Sequence, residues 1–447
     1  MSAPSPDLDY GGPLDGSPLR KGQIVILLAA VILAALDGYD ALSMAFVAPA
    51  ISREWHLGKD VLGLLLASGL AGMAFGSLVL SPIADAVGRR PVVLGSLAVM
   101  TAGSVMCAFC HSGRTLVVFR VLTGIGIGVM VAMTTLLAAE FANARRRSLA
   151  IAAVVTLGFP LGGVVGGLTA SVLLRTSGWP WVFIIGGISG GLLLVFLAVI
   201  LPESPAFLAA QRSAGALVRL NLALARLGHM GIAELPPVPD RRRFAYRALF
   251  ARGIMSRTLR LAAIGALLSA AAYFVVNWLP QIVADAGYPP TTGSLVSAIS
   301  GAAGLIGGVS LGALAGRFPA ARLGAVAMLV MALSLVALGF VPPQLWLLIA
   351  CAGAIGLFGP GAAGIFFGIV SISFPSEMRA SGLGFVLGVG RIASAIAPAL
   401  AGWLFARGFG RGEVSLAFAG GLVIAAALIA SLGAVARNTR PSKTPVA

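Results

Sequence analysis

The sequence predicts an all-α polytopic membrane protein, with twelve transmembrane helices arranged as two six-helix bundles. Hydrophobic residues make up 58% of the 447-residue chain and charged residues only 10%, a composition far outside the range of soluble globular domains. The mean hydropathy of +0.99 agrees with this prediction. The apolar residues form runs of about 20, the length that a helix needs to cross a bilayer, and they lack the alternation typical of β-barrel strands.

Charged or proline-rich breaks separate the apolar runs and define twelve predicted spans, numbered 1 to 12 along the chain. They cover residues 22–50, 61–82, 92–112, 116–138, 148–173, 180–201, 258–281, 293–314, 323–341, 345–370, 380–406 and 415–436. The segment before the first span contains acids and prolines, without the basic start and short apolar core of a cleaved signal peptide. We therefore expect span 1 to be a retained helix.

The basic residues are distributed unevenly between the two sides of the predicted bundle. Of 31 Lys and Arg residues, the loops after odd-numbered spans hold only Arg53, Lys59, Arg114, Arg175, Arg407 and Arg411. Arg120 and Arg391 lie within spans, and the rest lie in the tails and in the connections after even-numbered spans. This asymmetry predicts that both termini are cytoplasmic. We expect the net charge of +16 to face anionic lipid rather than nucleic acid, in a bacterial cytoplasmic membrane, and the chain to act as a monomer.

One long polar stretch, residues 202–257, interrupts the pattern of short loops. It predicts a cytoplasmic tail over 1–21, a bundle over 22–201, a cytoplasmic linker over 202–257, a second bundle over 258–436 and a cytoplasmic tail over 437–447. The halves also look related, because residues 76–85 after span 2 align without gaps with residues 307–316 after span 8. Tandem six-span repeats are one known transporter plan, with the substrate site between the halves near mid-membrane.

Span 1 contains Asp37 and Asp40 in the middle of its apolar run. They are the only acids of 15 that fall well within a predicted span, and the three histidines lie at or outside span ends. Ionisable side chains are costly at bilayer depth and usually mark ion or proton pathways. Burial favours a protonated carboxyl and a nearby arginine favours an ionised one. We predict proton coupling by Asp37, by Asp40 or by the pair; the alternative is that they neutralise a buried arginine.

Several motifs carry a resemblance to a known family. The connection between spans 2 and 3 reads Ser81-Pro-Ile-Ala-Asp85-Ala-Val-Gly88-Arg89-Arg90, and span 1 contains Asp37-Gly38-Tyr39-Asp40 followed by Phe46-Val-Ala-Pro49-Ala-Ile51. Arg120 to Gly128, Leu201 to Pro205, Asn277 to Pro280 and Gly388 to Arg391 fit the same pattern. The chain resembles the major facilitator superfamily and, within it, the aromatic acid/proton symporter group. Ser81 departs from the signature, which usually begins with glycine.

The resemblance implies the major facilitator fold and proton-coupled uptake of a small aromatic carboxylate, such as a hydroxybenzoate, by alternating access. The proton gradient would replace any cofactor. Transport of a non-aromatic or nicotinate-like acid and proton-antiport export remain open alternatives. Nothing in the sequence predicts an enzyme or an ATP-driven pump, because the histidines are isolated and no phosphate-binding Gly-x4-Gly-Lys-Ser/Thr loop occurs. Cys107, Cys110 and Cys351 have no metal-ligand spacing.

Arg391 is the first candidate for substrate binding. It lies about 18 Å along span 11 from the predicted cytoplasmic end, and its guanidinium could bind a carboxylate through two parallel hydrogen bonds. A structural counter-ion for an aspartate is the alternative, and both readings apply to Arg120 in span 4. The spans that line the cavity in the resembling fold offer the rings of Tyr39, Phe159, Phe274, Trp278, Phe366 and Phe385. The alternative for each ring is packing or lipid contact.

The resemblance also implies a cytoplasmic gate of charged residues at adjacent helix ends. Its members would be Asp85, Gly88, Arg89, Arg90, Glu140 and Arg146, with Glu377 and Arg379 as the counterpart in the second half. Hydrated salt bridges are weak, so such a gate could alternate between closed and open states at little cost. The run Gly359-Pro360-Gly361 predicts a break or kink in span 10, a feature of substrate-lining helices.

Overall fold

The structure is a computed structural model, and it describes residues 14–212, 215–236, 246–375 and 378–438. Twelve helices in these ranges are long and apolar enough to cross a membrane, and the described residues form no strand. The spans are Lys21–Glu54, Lys59–Val87, Arg89–Ala108, Gly113–Phe141, Ala144–Thr176, Pro180–Ile200, Met255–Asp285, Pro290–Ala315, Ala320–Phe340, Leu345–Ser373, Ser381–Ala406 and Arg411–Leu432. The all-α, twelve-helix prediction is confirmed.

Spans 2, 5 and 10 each contain a proline, and the helix accommodates it in two different ways. Spans 2 and 5 each contain one wide turn, Gly76–Leu80 and Val154–Gly158, in which hydrogen bonds close after five residues instead of four. Pro82 and Pro160 follow these turns and lack the N–H that a regular helix would use there. Span 10, by contrast, runs through Pro360 as one helix from Leu345 to Ser373. Of the break or kink predicted for span 10, the break is absent.

The two halves pack by the same plan. In the first half, span 2 packs on span 4, span 3 on spans 4 and 6, and span 1 on span 5. In the second half, span 8 packs on span 10, span 9 on spans 10 and 12, and span 7 on span 11. Each second-half contact repeats a first-half contact six spans later, as the internal sequence repeat predicts.

The main contacts between the halves are those of span 1 with span 7, span 2 with span 11, and span 5 with span 8, and span 1 also packs against span 8. Small residues allow the close approach. A side chain at Gly63 would come within 2.8 Å of the Gly402 Cα, and one at Gly167 within 2.9 Å of the Ser294 carbonyl oxygen. Glycine therefore lets the helices of the two halves meet backbone to backbone.

The segment between spans 6 and 7 forms two short helices, Pro205–Gln211 and Ala216–Leu227. The second packs against span 1, and Leu220, Leu224 and Leu227 are buried in the first half. We call the end of the bundle that carries this segment the linker face, and the opposite end the far face.

Candidate functional site

A cavity of about 420 Å³ lies between the two halves. Spans 1, 2, 4 and 5 form its first-half wall, and spans 7, 10 and 11 form its second-half wall. Its surface is mostly apolar and includes the rings of Phe159, Phe366 and Phe367. Phe159 and Phe366 are therefore where the sequence predicted ring partners, on opposite walls of one cavity.

Asp37 reaches the cavity from the middle of span 1. The residue is 1% exposed, and neither carboxyl oxygen has a hydrogen-bond partner among the described residues. A buried polar group without a partner costs roughly 1–3 kcal/mol, and more when it is charged. Asp37 thus lies at the cavity wall with carboxyl oxygens that are buried and have no partner among the described residues.

Arg391 reaches the same cavity from span 11. Leu387 and Ser394 lie one turn to either side of it and also line the cavity, so this helix face points inward. Within the described part of the chain, no hydrogen bond or ion pair joins the Arg391 guanidinium to another side chain; only its backbone carbonyl accepts, from Ser394 Oγ at 2.7 Å. Asp37 and Arg391, neither of which has a side-chain partner in the part of the chain that the structure describes, therefore line different walls of the cavity.

Asp40 lies outside the cavity in a closed polar cluster of the first half. Its Oδ1 accepts from Ser104 Oγ at 3.0 Å, and Gly186 leaves room for it, because a side chain there would come within 2.7 Å of Oδ1. Arg120, which is 1% exposed, donates to the Asp40 carbonyl oxygen at 3.1 Å and to Ser43 Oγ at 3.3 Å. Arg120 therefore faces the aspartate rather than the cavity.

Four of the six predicted rings do not line the cavity. The Tyr39 hydroxyl donates to the Val182 carbonyl at 2.8 Å, inside the first half. Phe274 stacks on Phe418 with ring centroids 4.4 Å apart. The Trp278 indole donates to the Pro398 carbonyl at 3.1 Å, and Phe385 meets Phe250 edge to face at 5.4 Å. Each of these rings has a packing partner in its own half.

The cavity also contains hydroxyl groups that sequence reasoning missed. Thr134 and Thr135 come from span 4, and Ser269 and Tyr273 come from span 7. Ser269 and Tyr273 are four residues apart and hence on one helix face, which is the only signal that could have identified them. The two threonines are adjacent in an apolar span, and no pattern in the sequence shows that their side chains point into the cavity.

The predicted gate residues near the start of span 3 form a compact network at the linker face. Arg89 bridges two acids, with Nη2 3.2 Å from Asp85 Oδ1 and 3.0 Å from Glu140 Oε1. Glu203, which the sequence analysis did not select, accepts the backbone N–H of Arg89 at 2.8 Å. Gly88 has φ of +110°, and a side chain there would come within 2.4 Å of Glu203 Oε2. All of these contacts lie within the first half.

Among the remaining gate residues, Arg90 is joined to this network, because its backbone N–H donates to Glu203 Oε1 and Oε2 at 3.3 Å. Arg90 donates to the carbonyls of Leu201 at 2.8 Å and Ala198 at 2.7 Å, at the end of span 6. Arg146 is exposed, whereas the next residue, Arg147, is buried and pairs with Asp15. Arg379 Nε is buried without a partner among the described residues. Glu377 lies outside the described residues.

Polar contacts between the halves concentrate at the far face. Lys59 pairs with Asp285 at 2.5 Å, and Arg53 donates to the Tyr288 carbonyl at 3.3 Å, beyond the end of span 7. Ser294 Oγ donates to the Phe46 carbonyl at 3.3 Å. Among the described residues, the hydrogen bonds that join the halves all lie at this end. The far face therefore holds the halves together in this conformation.

Comparisons with known proteins agree with this architecture. Residues 27–344 match the profile described as Major Facilitator Superfamily. The chain is 30% identical to the gallate transporter of Pseudomonas putida over 407 residues, 90% of each chain. It is 29% identical to the 4-hydroxybenzoate transporter PcaK of Pseudomonas putida over 392 residues, 86% of each chain. Its fold is similar to that of an inward-facing, unoccupied bacterial homologue of the human lysosomal transporter Spinster, with a TM-score of 0.74, 18% identity and coverage of 96% of this chain and 100% of that one.

Proposed function

This chain belongs to the Major Facilitator Superfamily, and we propose that it imports a small aromatic carboxylate, such as a hydroxybenzoate, together with protons. The family and the twelve apolar helices make it an integral membrane transporter rather than an enzyme. The substrate class, the coupling ion and the direction are the proposal. Relatives named for gallate and 4-hydroxybenzoate transport support the substrate class.

The observation that carries the proposal is the unpaired Arg391 guanidinium in a mostly apolar cavity. An arginine at the centre of a membrane helix costs about 2.5–3.5 kcal/mol, and a substrate carboxylate would offset this cost through two charge-assisted hydrogen bonds. The cavity volume of about 420 Å³ is near the lower end of the range for small-molecule sites, roughly 300–1,000 Å³. That volume favours a single-ring acid.

Asp37 and Asp40 are the proposed proton carriers. Asp37 lines the cavity without a partner among the described residues, whereas Asp40 lies beside Arg120 and accepts a hydrogen bond from Ser104. Because the two carboxyl groups are one helical turn apart, we propose that they titrate as a coupled pair. A proton loaded from one face would be released when the cavity opens to the other face and water reaches Asp37.

The linker face is the proposed cytoplasmic face of a bacterial membrane, because most of the basic residues lie in the tails and connections on that side. Anionic lipid would surround it. On this assignment the Arg89 network, with Asp85 and Glu140, belongs to the cytoplasmic gate, and the Lys59–Asp285 pair closes the opposite side. Import would require the far-face contacts to break so that substrate can enter, and to re-form before release.

Uptake of labelled aromatic acids into cells expressing the protein tests the proposal. We expect 4-hydroxybenzoate to accumulate, and accumulation to collapse with a protonophore. Arg391→Lys keeps the charge but loses the bidentate fork, so KM should rise about tenfold. Arg175→Lys, an exposed arginine at the far face, is the matched control and should behave as wild type. If no aromatic acid enters while a nicotinate-like or aliphatic acid does, the substrate class is wrong.

A further inference from the structure

We propose that the cavity recognises its substrate from both ends, with Tyr273 as a second donor to the carboxylate and with Thr134 and Thr135 as acceptors for a hydroxyl group on the ring. The inference rests on the proposed function and adds the residues that would determine specificity. Its basis is the way in which donors and acceptors are divided between the two walls of the cavity.

The second-half wall offers hydrogen-bond donors. Arg391 carries five N–H groups and no acceptor, and no described residue takes any of them. The Tyr273 hydroxyl likewise has no described partner, and Tyr273 lines the same wall of the cavity as Arg391. A carboxylate bound to Arg391 would therefore lie within the reach of Tyr273, which can donate a further hydrogen bond.

The first-half wall offers acceptors. Thr134 Oγ1 donates its proton to the Val131 carbonyl at 3.1 Å, and Thr135 Oγ1 donates to the same carbonyl at 3.2 Å. While these two bonds are made, both hydroxyls present lone pairs to the cavity. This wall is matched to a group that donates a proton.

The rings of Phe159 and Phe366 provide apolar surface from both walls. The ligand that satisfies all three parts has a carboxylate, an aromatic ring and a donor such as a phenolic hydroxyl. Benzoate would leave the acceptor wall desolvated and unpaired, and a site built to bond a hydroxyl discriminates strongly against the analogue that lacks it. A methoxy group would place an acceptor against acceptors.

Initial uptake rates of 4-hydroxybenzoate, benzoate and 4-methoxybenzoate test this inference. In the wild type, KM for 4-hydroxybenzoate should lie about tenfold below KM for benzoate, the effect of one net hydrogen bond, and 4-methoxybenzoate should bind no better than benzoate. In Thr134→Val/Thr135→Val, KM for 4-hydroxybenzoate should no longer lie below KM for benzoate, and KM for benzoate should fall, because no hydroxyl acceptors remain for benzoate to leave unpaired. Tyr273→Phe should raise KM for both acids by the same factor.

The matched control is Thr176→Val. The Thr176 hydroxyl also donates to a carbonyl in the preceding helical turn, that of Val172 at 3.2 Å, but the residue is exposed at the far end of span 5. Benzoate transport by the double variant shows that it is folded, and the methoxy comparison needs no variant. The inference is overturned if the wild type transports all three acids with equal KM, or if the double variant loses both acids equally. Transport of none of them overturns the proposed function itself.

Discussion

Span 1 and span 7 occupy equivalent places in the two halves and differ in the chemistry they carry. Both line the cavity and both contain an internal proline, Pro49 and Pro280. The register that aligns residues 76–85 with 307–316 also pairs these prolines, and it pairs Asp37 with Leu268. Span 1 therefore contributes the acidic side chain of Asp37 to the cavity wall, and span 7 contributes the apolar side chain of Leu268 at the equivalent position.

The same contrast extends to the arginines. Arg120 of the first half donates to the Asp40 backbone carbonyl and to Ser43, whereas no described residue accepts from the Arg391 guanidinium of the second half. The repeat therefore reproduces the helix packing and not the charges. A molecule held between the halves meets a carboxyl on one side and a guanidinium on the other, and on our proposal the first half handles protons while the second binds the substrate anion.

The largest effect should follow from removing the carboxyl that distinguishes span 1. Asp37→Asn is expected to abolish accumulation of 4-hydroxybenzoate against a gradient, because an amide cannot carry the proton. Exchange of external for internal substrate should continue, since exchange needs no net proton movement. Counterflow in membrane vesicles separates the two activities, with Leu268→Met in the equivalent position of span 7 as control. Accumulation at the wild-type level would remove Asp37 from the coupling pathway.

A smaller effect is expected from substituting the two arginines in turn. Arg391→Lys should raise KM about tenfold and leave the amount of folded protein unchanged, because it loses only the fork toward the substrate. Arg120→Lys should lower the yield and melting temperature of purified protein, because the Asp40 carbonyl and Ser43 lose a buried donor. Substrate KM and thermal unfolding measured on both variants make the test. If Arg120→Lys changed KM alone, the division between the halves would be wrong.

The far-face pair should have an effect of only a few-fold. Lys59 and Asp285 are 33% and 50% exposed, so their interaction is expected to contribute about 0.2–1 kcal/mol. Lys59→Gln should change the uptake rate about two- to fivefold by shifting the balance between closed and open far face. The charge swap Lys59→Asp/Asp285→Lys should recover most of the wild-type rate. A swap no better than the single variant would show that the pair does not control this face.

The smallest effect concerns pH at the linker face. Burial and the neighbouring Arg20 lower the pKa of His229 below its ordinary 6.5, while its Nε2 lies 2.8 Å from Gln23 Oε1 in span 1. The folded protein binds this proton less well than the unfolded chain, so the stability is complete above pH 6.5 and falls slightly as the pH drops below it. Melting temperatures at about pH 8 and pH 5.5 should show a smaller pH dependence in His229→Gln.

The sequence predicts the spans well because apolar length alone decides whether a helix can cross a bilayer. It also singles out Asp37 and Arg391, since charge within a span is rare enough to stand out. Helix rotation is different. A span that is apolar on every face has no polar side to show which face points inward. Nothing in the sequence therefore separates Phe366, which lines the cavity, from Phe274, which stacks on Phe418.

The local network at the linker face depends on long-range contacts that no spacing reveals. Arg147 rather than Arg146 is buried because Asp15, far away in the sequence, approaches the loop between spans 4 and 5. Glu203 reaches the start of span 3 because the chain turns back after span 6. Thr134 and Thr135 can satisfy their hydroxyl groups on the carbonyl of the preceding helical turn. A threonine can therefore lie on any face of an apolar span, and the sequence does not show that these two face the cavity.

Transport in liposomes containing only the purified protein tests the central claim most directly. The internal buffer is made alkaline relative to the outside, with the membrane potential clamped at zero, and labelled 4-hydroxybenzoate is added outside. We expect labelled 4-hydroxybenzoate to accumulate faster than it enters protein-free liposomes under the same gradient, and this faster accumulation to disappear when the pH gradient is removed and in Asp37→Asn. Equal initial rates of accumulation with and without the gradient, or with and without the protein, would contradict proton-coupled import.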